Sequence, residues 1–75
     1  MFLLRRMSDK EVLGVFDCPH DAAESVKYSY HQSKATFEVA RGPKSEVAVA
    51  VIIPGRSTFV YEIIPVNYYK QAAHL

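Results

Sequence analysis

Residues 46–55, "EVAVAVIIPG", are the most hydrophobic stretch of the chain, and the fold turns on how they are read. In an extended strand Val47, Val49, Val51 and Ile53 point to one side, and Ala48, Ala50 and Ile52 to the other. Both sides are apolar, so each needs a cover. On either flank lies a second strand pattern: "ATFEVAR" (35–41) alternates, and "TFVYEII" (58–64) is β-branched and aromatic. "RGPKS" and "PGRS" supply the turns. Pro54-Gly55 suits a type II turn, with proline setting one φ and glycine supplying the positive one.

Upstream, the apolar runs 2–7 and 11–17 around "SDKE" predict a β-hairpin. "DCPHDAAESVKYSYHQ" predicts the one helix. Pro19 fits the first helical position and makes Cys18 the N-cap. Asp21 sits in the electropositive first turn. Ala22, Ala23, Val26, Ser29 and Tyr30 share a helical face, with Tyr28 opposite. The expected fold is α+β, in the order ββαβββ: one α-helix packed on a mainly antiparallel five-stranded sheet. It forms a single domain over 1–75, with 66–75 as a loose C-terminal tail. Arg5 and Glu62 would sit close if the first strand paired with residues 59–66. A start at Met7, where "MSDKE" also looks like a beginning, would remove that first strand.

Loops of four residues at 42–45 and 54–57 set a register by counting outward. Ala50 then faces Phe37 and Tyr61, Ala48 faces Val39 and Ile63, and Ile52 faces Ala35 and Phe59. Small residues run down the middle of this side, forming a trough for the helix. It is the expected core face, extended by Phe2, Leu4, Leu13 and Val15. Val47, Val49, Val51 and Ile53 then form a stripe on the other side. Its neighbours are Thr36, Glu38, Ala40, Thr58, Val60, Glu62 and Ile64. A five-stranded sheet is about 24 Å wide, and one helix, roughly 10 Å across, covers a single face. The stripe is therefore exposed, wrapped by the C-terminal tail, or buried against another molecule; with Val60 it is the candidate contact surface, first of all for a second copy in a two-fold dimer. Tyr28, Tyr68 and Tyr69 are further candidate contacts outside the core.

Composition narrows the function classes. Nine positive charges against eight negative give no general pull on nucleic acid or acidic lipid. The single cysteine cannot form an internal disulfide and fits a reducing compartment. "MFLLRRM" lacks the order of a signal peptide, and no stretch is long enough for a membrane span. A soluble protein in the cytoplasm is the expectation. Cys18, His20 and Asp21 are the one local group of reactive residues. A thiol at a helix N-terminus can be activated, but no orienting acid or oxyanion motif accompanies it, so a capping role is expected. Two neighbouring ligands are too few for a tetrahedral metal site. The glycines at 14, 42 and 55 are too scattered for a phosphate loop. No catalytic, cofactor or metal residue is assigned.

"EVLGVFDCPHDAAESV" (11–26) resembles the hairpin-to-helix junction of small bacterial and bacteriophage open reading frames: apolar strand, small cap, proline or acid, then an alanine-rich helix start. Cys18 replaces the usual serine. The resemblance implies fold more than function, but it favours an accessory protein of a phage or mobile element that binds and inhibits or regulates a host protein in the host cytoplasm. With one sheet face uncovered and no catalytic or metal group assigned, the functional expectation is a non-enzymatic protein–protein interaction module. The alternative is a single-stranded nucleic-acid-binding module using Arg5, Arg6, Arg41, Lys44 and Arg56 with sheet aromatics. Against it, the turns carrying Arg41/Lys44 and Arg56 lie at opposite ends of the sheet, and Glu38 and Glu62 would repel phosphates.

Overall fold

The structure is a computed structural model that describes residues 1–66. Residues 67–75 of the expected tail, and with them Tyr68 and Tyr69, lie outside the described residues. Five strands and one helix follow in the order β1 (Phe2–Arg6), β2 (Val12–Phe16), α1 (Pro19–Ser29), β3 (Thr36–Arg41), β4 (Val47–Ile52) and β5 (Phe59–Pro65). This is the expected ββαβββ order. All four strand pairings are antiparallel, in the spatial order β2-β1-β5-β4-β3. β1 pairs with β5, as the Arg5/Glu62 complementarity suggested. Arg5 faces Glu62 in the ladder, and its guanidinium lies 2.6 Å from that carboxylate.

Local chemistry places each element. Arg6 N–H donates to Glu11 C=O and closes the first hairpin, with Lys10 at φ 62° turning the chain. The Arg6 side chain holds both Asp9 and Glu11 across that turn. Cys18 occupies the N-cap position with extended backbone, and Pro19 opens the helix, but the thiol makes no capping hydrogen bond. No glycine ends the helix. Tyr30 N–H instead donates to the Lys27 carbonyl, and Ser33 N–H to that of Tyr30. Arg56 N–H donates to Ile53 C=O across Pro54 and Gly55, and Gly55 has φ +77°, the type II geometry expected.

The faces of β4 are the reverse of those expected. Val49 faces Tyr61 and Val39; Ala50 faces Val60 and Glu38. Arg41 pairs with Val47, which leaves 42–46 as the first loop. Val51 pairs with Phe59, which leaves 53–57 as the second once Ile52 is counted against Thr58. Both loops therefore hold one residue more than the four expected. Glu46 is the reason at the first: its carbonyl accepts Gly42 N–H and its carboxylate accepts Lys44 N–H, so it closes the turn instead of starting the strand. A side chain at Gly42 would displace the Glu46 side chain from this position. One residue of slip exchanges the faces of a strand. Phe37, Val39, Phe59, Tyr61 and Ile63 stay on the helix side as expected, and β4 alone is turned over between them.

The core follows from that register. Leu4, Val47, Val49, Val51, Tyr61 and Ile63 meet Ala22 and Val26 of α1, with Phe2, Phe16, Ala23, Tyr30 and Phe37 packed around them. Small residues on the helix meet large ones on the sheet, the converse of the trough expected around Ala50. Val49, Val51 and Ile63 are fully buried, each worth about 1.5–3 kcal/mol of transfer free energy. Leu13 and Val15 do not extend this core. The register of β2 slips between Leu4 and Arg5, leaving Leu13 as a bulge, and Val15 pairs with Leu3 on the other face. Both are exposed.

Candidate functional site

The helix lies over β1, β2 and β5 and leaves one sheet face without a helix among the described residues. That face is built by the residues that alternate with the core. Ala48, Ala50 and Ile52 form its central lane along β4. Glu38 and Thr36 flank the lane on β3, and Val60 and Glu62 on β5. Arg5 reaches Glu62 from β1 with two hydrogen bonds, from Nε at 3.1 Å and from Nη2 at 2.6 Å, and so neutralises one of the two acids beside the lane. Leu3 and Ile64 face each other at the end of the same surface and are buried. There the main chain continues past β5 with Val66 N–H bonded to Met1 C=O. A shallow depression of about 360 Å³ lies beside the ion pair, against Pro43, Lys44, Glu46 and Ile64.

The residues expected to form the contact surface are distributed differently. Val47, Val49 and Val51 are core, at 6%, 0% and 0% exposure. A two-fold contact through them has no surface to use, because the protein's own core covers them. Ile53 packs against that core. Val60 lies on the opposite face from Val49, beside Ala50. Tyr28 is exposed as expected, and its ring stacks on His31 with centroids 4.9 Å apart. The alanine lane, expected in the core, lies instead on the helix-free face. The turn chemistry of "GPKSE", with a carboxylate placed to accept the Lys44 amide of its own loop, is the signal in the sequence that points to this orientation.

On the helix side, a second group of polar side chains is engaged with one another. A cleft of about 330 Å³ between α1 and the β1–β2 hairpin is lined by Leu4, Arg6, Leu13, Val26, Tyr30 and Tyr61. Arg6 is held there by Asp9 and Glu11, and the Tyr30 and Tyr61 hydroxyls share a 2.5 Å hydrogen bond. Burial, with the Tyr30 hydrogen bond second, pushes the Tyr61 phenol up to about 12. The Arg6 hydrogen bond, with a further one from the Glu11 amide, holds the Asp9 carboxyl down at about 2, and the same pairing raises Arg6 above its ordinary range. His20 is exposed, with Nε2 3.9 Å from Glu24, and Cys18 is a half-buried free thiol. No set of three His, Cys, Asp or Glu side chains among the described residues is placed to hold a metal ion. No helix among them is long and apolar enough to cross a membrane. No protein-family model, curated protein or solved structure matches the chain.

Proposed function

We propose that this protein is a non-enzymatic protein–protein interaction module that offers the helix-free face of its sheet to a protein partner. The alanine lane carries the reading. Ala48, Ala50 and Ile52 make an apolar floor low enough for a partner's side chains to sit between the flanking strands. Arg5 already balances Glu62, so Glu38 is the acid that favours a partner with a basic group at the rim of an apolar ridge. A host protein inhibited or regulated by a phage or mobile-element accessory factor is one such partner.

The test is affinity capture with a photocrosslinker placed on the lane, followed by identification of the crosslinked sites. The expected result is one protein crosslinked through Ala48, Ala50 or Ile52 and lost from an Ala50→Lys variant that remains folded. Equal capture by the parent and by Ala50→Lys would defeat the proposal. Retention of single-stranded nucleic acid with a steep salt dependence would favour the alternative module instead.

A further inference from the structure

We infer that two copies of the chain join edge to edge through β3, as a two-fold dimer with one continuous sheet. This inference rests on a different surface from the helix-free face and goes beyond it. β3 is the last strand of the sheet, and α1 packs on the other half of the molecule. Its six residues form an unbroken ladder with β4, free of bulge and proline. The other edge strand, β2, is bulged at Leu13 and packed by the helix. Bulges and helical cover are ordinary protections of a sheet edge, and β3 has neither.

The main chain of β3 shows what it would accept. Gly42 N–H donates to Glu46 C=O, so residues of even number along this strand turn their amides and carbonyls toward β4. Antiparallel ladders alternate, so Phe37, Val39 and Arg41 turn theirs outward. A two-fold axis perpendicular to the sheet sets like faces together and requires opposed residues of the same parity. Centred on Val39, it opposes Val39 to Val39 of the second copy and Phe37 to its Arg41. Every opposed pair among these three then exchanges both main-chain hydrogen bonds.

The side chains choose this register over its neighbours. Val39 is 51% exposed on β3, an apolar centre for the contact. Arg41 of each copy lies over the Phe37 ring of the other, a favourable cation–aromatic contact. Glu38 faces Ala40. Slipping the axis to residue 38 would set Glu38 against Glu38, where like charges repel; slipping it to residue 40 would oppose Phe37 to Pro43, which has no N–H to donate. The result keeps both helices on one side and merges the two alanine lanes into a single surface on the other.

Sedimentation velocity on the full chain over about a thousandfold concentration range reads the association directly. The expected result is a monomer–dimer equilibrium in the parent and a monomer throughout for Val39→Pro. Among the described residues no strand lies beside the outward N–H of Val39, so proline there removes a donor only from the edge. If Val39→Pro does not fold, Val39→Lys decides the matter, because it opposes two ammonium groups at the axis on an already exposed position. Nitroxides attached through Val39→Cys in a Cys18→Ser background should show strong mutual broadening. A parent that stays monomeric, a Val39→Lys variant that dimerises like the parent, or unbroadened nitroxides in a dimer would each overturn the inference. Ala50→Lys should leave this association unchanged, which separates its outcome from that of the partner-binding reading.

Discussion

On one face of β4, Val47, Val49 and Val51 are sealed beneath α1 and the flanking strands. On the other, Ala48, Ala50 and Ile52 keep part of their surface in the open. The two rows are near neighbours in hydropathy, and adjacent residues of the one strand differ completely in surroundings. What separates them is volume and neighbourhood: the larger valines sit among Tyr61, Ile63 and Leu4, and the alanines among Glu38, Glu62 and Val60. In an apolar strand, hydrophobicity alone does not say which face is core; the residues opposite do.

The strongest way to break this comparison is to place the same charge on each face. Val49→Lys buries an ammonium without a partner and should abolish cooperative unfolding in a thermal melt monitored by circular dichroism. Ala50→Lys puts that charge opposite Glu38 and should stay within about 0.5 kcal/mol of the parent. Equal losses would mean that the alanine row is as sealed as the valine row.

A smaller effect probes the aromatic end of the core. Tyr61→Phe deletes the hydrogen bond to Tyr30 and should cost about 1 kcal/mol at neutral pH. It should also flatten the alkaline limb of stability. Tyr61 holds its proton more tightly folded than unfolded, so the stability this group contributes is fully present below about 10 and is lost as pH rises from there through about 12. Denaturant midpoints across that range for parent and variant decide the point. An unchanged limb in the variant would place the alkaline loss elsewhere.

Away from both faces, Cys18→Ser supplies a hydroxyl at an N-cap that now lacks a side-chain bond. It should raise stability by about 0.5–1 kcal/mol; a lower melting temperature would show that the thiol packs better than it caps. The smallest change lies at the exposed hairpin turn. The Asp9 carboxyl should titrate near 2 by NMR and return toward its ordinary value near 3.8 in Arg6→Gln. Its depressed value means that the turn's contribution is present above the ordinary carboxylate value and is lost as pH falls through about 2.

Much of the architecture is legible in the residues themselves. The hairpin around "SDKE", the Pro19 helix start, the Pro54-Gly55 turn and the Arg5–Glu62 pairing all rest on local chemistry or on one charged pair, and each lies where those residues indicate. The sorting of β3 and β5 is equally legible, because Glu38 and Glu62 mark one face and Phe37 and Tyr61 the other. β4 carries no such marker. Its orientation hangs on whether Glu46 belongs to the turn or the strand, and a carboxylate accepting the amide two residues away is not visible as a periodicity. The candidate surface inherits that single ambiguity.

The two five-residue loops also bear on how the chain finds its fold. Closing a loop of four residues instead of five changes the entropy cost by little, and β4 has no polar residue to reject the wrong face. A sheet with β4 turned over is therefore a compact kinetic competitor, escaped only by breaking the ladders on both sides of the strand. Stopped-flow refolding of the parent should show a slow phase that Ala50→Lys suppresses, since the flipped arrangement would bury the lysine. Single-exponential refolding of the parent would mean that the Glu46 turn closes first and selects the register before the strands zip.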